Sequence, residues 1–210
     1  MNFLTQDIQF PNVNNATPDG LLAVGGDLSA ERLIYAYKHG IFPWYSEEDP
    51  ILWWSPNPRF VLFPEKLKVS KSMKQVLKHK AFVVTVNKAF RTVITECSKI
   101  KRNGQAGTWI TNDMIEAYVN LHNLGYAKSV EVWLDDELVG GFYGVDVGNG
   151  VFCGESMFAK VSNASKVAFI SFIQNTNYTL IDCQVYTNHL ESLGAEEIPR
   201  NMFIEYLDVS

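Results

Sequence analysis

Two short apolar runs carry polar side chains in their interiors. Val151-Phe-Cys-Gly-Glu-Ser-Met-Phe158 holds one acid, Glu155, and Thr179-Leu-Ile-Asp-Cys-Gln-Val185 holds Asp182 and Gln184. A carboxylate inside such a run is costly unless it is paired or hydrogen-bonded. Asp182 and Gln184 are two residues apart, so on a regular strand they share a face. Gly154, just before Glu155, is where a β-bulge could re-aim the acid. Two central strands with Glu, Asp and Gln inside describe either a polar site in a sheet or a satisfied buried network, and the runs alone leave both readings standing. Familiar nucleophile chemistry fits poorly. Gly154-Glu-Ser-Met-Phe158 lacks the closing glycine of a nucleophile elbow, and Cys183, between Asp182 and Gln184, faces away from both on a regular strand. There is no P-loop, Val24-Gly-Gly-Asp27 is not a dinucleotide fingerprint, and no metal or other cofactor is expected.

The rest of the chain must position these groups. Its 210 residues, 47% hydrophobic and 20% charged, suit a soluble globular protein with a sizeable core. No apolar run approaches the roughly 20 residues of a membrane span, and the N-terminus has no basic region or signal-peptide core. Cys97, Cys153 and Cys183 read as reduced core thiols of a cytoplasmic protein. His39, His79, His122 and His189 show no metal-ligand spacing and read as surface or capping residues. The net charge of -5 conceals an asymmetry: Glu65 to Arg102 contains eleven Lys or Arg against two acids, while the remainder has seven basic and twenty-one acidic residues. Such a block favours a polyanion footprint over a merely solvated helix face.

Residues 1–60, rich in Pro, Gly, Asn and aromatics, read as a small N-terminal domain. Leu21–Asp27 looks like a short strand and turn, and Ser29 can cap a helix over Ala30–His39, with Gly40 as its stop. The Trp and Pro residues between Ile41 and Arg59 suit either core wrapping or a stacking platform for a base. Ser70 or Ser72 can cap a helix with Met73, Val76 and Leu77 inward and Lys71, Lys74 and Lys78 outward. A strand over Phe82–Val86, a helix over Ala89–Cys97, a Lys99–Gly104 loop and a Thr111-capped helix to Leu124 follow. Alternation then predicts a meander, Lys128–Leu134, Glu137–Val147 and Val151–Phe158. A helix capped by Ser162 or Asn163, a strand over Leu180–Tyr186, a short helix over His189–Leu193 and a final strand over Met202–Leu207 complete the chain. The expected class is α/β (α+β) with a mixed sheet in residues 61–210. A meander followed by a helix resembles the N-acetyltransferase-like fold. The helix-entry segment Phe158–Lys166 contains no glycine to admit a pyrophosphate, so coenzyme A is not expected to bind.

Gly20-Leu-Leu-Ala-Val-Gly-Gly-Asp-Leu28, Gly40-Ile-Phe-Pro-Trp44, Pro50-Ile-Leu-Trp-Trp-Ser-Pro56, Gly107-Thr-Trp-Ile110, Gly154-Glu-Ser-Met-Phe158 and Leu180-Ile-Asp-Cys-Gln-Val185 together resemble the leucyl/phenylalanyl-tRNA–protein transferase family. They occur in order over nearly the whole chain. The resemblance implies transfer of Leu, Phe or sometimes Met from aminoacyl-tRNA to the α-amino group of proteins beginning with Arg or Lys, creating a degradation signal under the N-end rule. It implies no cofactor, no membrane and a cytoplasmic monomer. An aminoacyl ester is already activated, which agrees with the absence of nucleotide and metal motifs, and the basic block suits tRNA phosphates.

By the same resemblance, Glu155 lies beside the acceptor amine and Gln184, oriented by Asp182, lies where that amine's proton is handled. An amide is scarcely basic, so positioning by Gln184, with a tRNA hydroxyl helping the proton transfer, is an equal reading. Trp44 and Trp109 match aromatics around the terminal adenosine. Phe142, Phe152, Met157, Phe169, Phe172 and Ile181 match the donor side-chain pocket; without the family all six read as core. Lys71, Lys74 and Lys78 are the candidate phosphate contacts. Phe142 stands where the family pattern leads one to expect Met, and the chain stops at Ser210 without the tail some members carry. The rival readings are a tRNA-dependent transferase with another acceptor, such as a cell-wall peptide, and a non-catalytic tRNA-binding protein.

Overall fold

A computed structural model describes residues 2–79, 81–100 and 109–208. Lys80, Lys101 and Arg102 of the basic block, and Gly107 and Thr108 of one family string, lie outside the described residues. Within the first 60 residues, β1 (Asn2–Leu4), β2 (Leu21–Gly25), α1 (Ala30–Lys38), β3 (Phe42–Pro43) and β4 (Leu52–Trp54) precede β5 (Arg59–Leu62). Then come α2 (Lys71–Lys78), β6 (Val83–Val86), α3 (Phe90–Ser98) and α4 (Asn112–Asn123), followed by the meander β7 (Ala127–Leu134), β8 (Glu137–Asp146) and β9 (Val151–Ala159). The chain continues through α5 (Ala164–Gln174), β10 (Leu180–Gln184), α6 (Asn188–Ser192), β11 (Glu196–Ile198) and α7 (Arg200–Leu207).

Four strands form one sheet in the order β1-β2-β4-β3, and seven form another in the order β11-β5-β10-β9-β8-β7-β6. In the larger sheet only β9 and β10 run parallel; the other neighbours are antiparallel. This is the expected mixed α/β architecture, with the meander and following helix in the expected order. One face of the large sheet, carrying Tyr143, Val145, Val151 and Cys153, packs with α1, α3, α4 and the small sheet. The other, carrying Val130, Phe142, Phe152 and Ile181, packs with α5 and Met73 of α2.

Local chemistry explains the helix starts. Ser29, Ser70 and Thr111 accept the N–H groups of Arg32, Met73 and Met114, as their sequence contexts predict. Asn163 adopts φ 69° and makes no side-chain cap bond, so the expected cap at α5 is absent. Two further expectations are corrected, and one strand was not expected. Met202–Leu207 is helix, not strand: the apolar run is too short to fix its period, and Phe203 and Leu207, four apart, form a buried helical face beginning after Pro199. Glu196–Ile198, unmarked by alternation, pairs with β5 as an edge strand. The strand predicted to Tyr186 stops at Gln184, whose φ of 64° takes the chain out of β geometry. Gly40 ends α1 at φ 73°, and a Cβ there would strike Ile204 of α7, so the turn needs glycine for two reasons.

Candidate active site

Two bulges on adjacent strands build the site. Opposite Tyr143–Gly144 of β8, strand β9 supplies Ser156 and Gly154, leaving Glu155 as the extra residue. Gly144 makes room for this, since a Cβ there would meet the Cys153 carbonyl oxygen and the Phe152 ring. Opposite Val61–Phe60 of β5, strand β10 supplies Asp182 and Gln184, leaving Cys183 as the extra residue. The parallel β9–β10 ladder has its last pair at Asp182–Cys153. Beyond it the two strands no longer pair with each other, and a cleft of about 670 Å³ opens where they part, lined by Gly154, Glu155, Ser156 and Met157 of β9 and by Ile181, Asp182, Cys183 and Gln184 of β10.

Glu155 lines this cleft. Its Oε1 accepts Tyr37 OH at 2.7 Å and Gln184 Nε2–H at 2.7 Å, and Tyr118 OH lies 3.4 Å from Oε2. Burial, with Asp182 nearby, pushes its carboxyl up to about 7 against the lowering effect of the Tyr37, Gln184 and Tyr118 bonds. Asp182 holds the Gln184 backbone, while the Gln184 side-chain amide donates to Glu155. Asp182 Oδ1 accepts the Gln184 backbone N–H at 2.9 Å and Arg59 Nε–H at 2.8 Å, while Oδ2 accepts Arg59 Nη2–H at 2.6 Å. Arg59 and Asp182 are 1% and 0% exposed. Arg59 lies between the Phe42 and Phe203 rings, 4.7 Å from each centroid, and also donates to Gly40 O. The bidentate pair thus pins the left-handed turn that aims the Gln184 amide at Glu155.

The cleft walls differ in character. Phe42, Pro43, Trp44 and Trp109 line one part. Trp44 packs on Trp54 with centroids 5.7 Å apart, and Trp54 Nε1–H donates to the Trp44 carbonyl. Phe142, Met157, Phe169 and Ile181 line another part. Phe152 and Phe172 do not line it; they stand behind Phe142, at 6.1 and 5.3 Å between centroids. Cys183 also lines the cleft but packs in the core cluster opposite that of Cys153, and burial raises both thiols. Lys71, Lys74 and Lys78 are exposed on α2 and are not among the residues that line the cleft. Among the described residues no His, Cys, Asp and Glu cluster could hold a metal ion, and no helix is long and apolar enough to cross a membrane.

A leucyl/phenylalanyl-tRNA protein transferase family model matches residues 61–208, and a model of that family's N-terminal domain matches residues 26–57. The chain belongs to the leucyl/phenylalanyl-tRNA–protein transferase family. It is an aminoacyltransferase. The protein of that name from Flavobacterium psychrophilum is 60% identical over 99% of both chains, and that from Flavobacterium johnsoniae is 59% identical over the same shares. The Syntrophus aciditrophicus protein is 59% identical, covering 93% of this chain and 83% of its own. Two solved structures that this chain resembles are far more distant. A GCN5-related N-acetyltransferase from Kribbella flavida is 12% identical with a TM-score of 0.37, over 77% of this chain and 58% of its own. A conserved Staphylococcus epidermidis protein is 8% identical with a TM-score of 0.46, over 85% of this chain and 68% of its own. Neither carries a functional argument.

Three residues that build this cleft are not marked by the sequence alone: Arg59, Tyr37 and Tyr118. Arg59 opens the apolar run Arg59-Phe-Val-Leu-Phe63, the same signal that marked Glu155. Tyr37 and Tyr118 sit on the buried faces of α1 and α4, where a tyrosine hydroxyl must find a partner. Of the four histidines, His39 and His79 are exposed, and His122 stacks on Phe90. His189 instead lines the cleft, with its ring held below the usual histidine range by burial and then Lys166.

Proposed function

We propose that the chain transfers Leu, Phe or Met from aminoacyl-tRNA to the α-amino group of proteins beginning with Arg or Lys, and so creates an N-degron. Residues 1–60 serve as a small N-terminal domain and residues 61–210 as the catalytic domain. The observation that carries the reading is the Glu155–Gln184 pair in a cleft with an indole wall and an apolar wall. Trp44 and Trp109 suit the terminal adenosine, because aromatic faces stack any base. Phe142, Met157, Phe169 and Ile181 suit the donor side chain, with Phe152 and Phe172 setting the depth of that wall. The exposed Lys71, Lys74 and Lys78 suit tRNA phosphates. Three buried free thiols suit a reducing compartment, the cytoplasm.

The reaction needs a neutral amine beside an ester. An α-ammonium has a pKa of about 7.7–8.0, so roughly a tenth is neutral at pH 7. The amine nitrogen attacks the ester carbonyl, a C–N bond forms and the C–O bond to the terminal ribose breaks. The proton lost by the nitrogen at this stage ends on the leaving ribose oxygen. Gln184 Nε2 is committed to Glu155, so its Oε1 is the end of the amide that accepts an N–H from the amine. The test is incubation with Leu-, Phe- and Met-tRNA and peptides beginning with Arg, Lys or Ala. Transfer to Arg and Lys peptides alone is expected. Transfer that ignores the first residue, or tRNA binding without transfer, contradicts the reading.

A further inference from the structure

Tyr37 and Tyr118 approach Glu155 from two different helices, and the reaction above gives them no task. Their hydroxyls and the carboxylate form a closed ring. Tyr37 OH contacts Oε1, Tyr118 OH contacts Oε2, and the two hydroxyls hydrogen-bond each other. Three contacts share two hydroxyl protons. While Glu155 is ionised, one contact must lack a proton. Tyr37 donates to Oε1 across 2.7 Å, so the single Tyr118 proton must serve both the Tyr37 oxygen and, across a long 3.4 Å, Oε2, which leaves Oε2 the weakly held oxygen. Oε1 also receives the Gln184 amide. A proton placed on Oε2 would point at the Tyr118 oxygen and close the ring, each group then donating and accepting once around it. The cleft therefore holds a carboxylate oxygen with a vacancy for one proton.

We propose that Glu155, held by Tyr37 and Tyr118 as positioning residues, takes the first proton from the acceptor's α-ammonium. The inference rests on the acceptor reading above. The N–H bond of the ammonium breaks, its electron pair stays on nitrogen as the nucleophile, and the proton closes the ring at Oε2. After the second nitrogen proton has gone to the leaving ribose oxygen, Glu155 returns the first to solvent. Of the two acids in the cleft lining, only Glu155 has an oxygen open to this proton. Asp182, the other acid in the lining, has both oxygens filled by Arg59 and by the Gln184 N–H. The Gln184 amide is scarcely basic. Burial holds Glu155 near neutrality, about 7, within reach of an ammonium at about 7.7–8.0. Among the described residues, the titratable and charged groups around Glu155 include Tyr37 from α1, Tyr118 from α4 with Tyr143 of β8 beside it, Cys153 on β9, and Asp182 from β10 with Arg59 of β5 behind it, and His189 of α6 lines the same cleft.

The test is the pH profile of kcat/KM for an Arg-initiated peptide at saturating Leu-tRNA. A reaction that only awaits neutral amine rises once, through the ammonium pKa. A reaction that uses ionised Glu155 and the ammonium is bell-shaped, with its acidic limb set by Glu155. Tyr37→Phe removes a donor to the carboxylate and should move that limb upward by about one pH unit, the scale of one charge-assisted hydrogen bond. Glu155→Gln should abolish the limb and lower the rate. Carboxyl ¹³C titration of the free protein reads the same group without substrate: a near-neutral titration that rises in Tyr37→Phe supports the assignment. A single rising limb in the wild type, a limb that stays in place in Tyr37→Phe while rates fall equally at every pH, or a Glu155 that titrates in the ordinary carboxylate range overturns it. Wild-type protein that transfers nothing to the peptide counts instead against the substrate reading, and the ¹³C titration then still decides the ring.

Discussion

The Arg59–Asp182 pair should be the most sensitive structural contact in the site. Both side chains are almost wholly removed from water and meet through two short bonds, 2.8 and 2.6 Å. Arg59→Met leaves the Asp182 carboxylate buried without its counter-charge, a change that costs about 3–5 kcal/mol. That is a large share of the roughly 5–15 kcal/mol that holds a typical protein folded. For a chain of this size each kcal/mol corresponds to about 2–4 °C, so the midpoint of thermal unfolding should fall by roughly 6–20 °C. Circular dichroism melts read this directly. The double variant Arg59→Met/Asp182→Leu should regain most of the lost stability, because the stranded charge is gone. It should not regain activity, because the Gln184 N–H has lost the acceptor that fixes its left-handed turn. A single variant that melts within about 2 °C of wild type, or a double variant with wild-type transfer, would refute the view that this pair positions Gln184.

Glu155 should make stability depend on pH. Its folded-state pKa, about 7, is above the ordinary carboxylate value, so its contribution is complete below the unfolded pKa and lost as pH rises through 7. The effect is at most about 3 kcal/mol. Urea melts of Glu155→Gln should therefore gain on wild type between about pH 5 and pH 8, and a gap that stays constant contradicts the buried titration. Changing Lys71, Lys74 and Lys78 to Ala should flatten the salt dependence of tRNA binding by about one unit of log–log slope per lost phosphate contact; an unchanged slope makes α2 a solvated face. Phe142→Met replaces a rigid ring at the cleft wall by a pliable chain. It should change the ratio of Phe to Leu transfer about 10-fold, and an unchanged ratio makes position 142 core only.

Features set by neighbours in sequence were legible, and those set by distant partners were not. Ser29, Ser70 and Thr111 cap helices as read because a cap bonds an amide only three residues away. The meander was legible from alternation, and the bulge at Glu155 from a single glycine beside a misplaced acid. Asp182 and Gln184 were recognised as polar groups in a buried strand, but a regular strand would have sent both side chains one way. The bulge instead gives Asp182 to Arg59, 123 residues earlier in the chain, and Gln184 to Glu155. Met202–Leu207 misled because six residues fit either period, and its helical form is decided by packing against Gly40 and Arg59. The six donor-pocket candidates could not be ranked by depth from sequence. Four reach the cleft and two back Phe142, a distinction made only by the tertiary stack of rings.

The central claim is that Glu155 and Gln184 carry out aminoacyl transfer in this cleft. Single-turnover transfer of leucine from Leu-tRNA to an Arg-initiated peptide tests it most directly, using Glu155→Gln and Gln184→Ala proteins whose melts show them folded. Glu155→Gln should weaken acceptor use while leaving Leu-tRNA binding nearly intact, and Gln184→Ala should lower kcat more than it raises the acceptor KM. Wild-type rates in both folded variants would make the polar cluster a structural network and put the chemistry elsewhere.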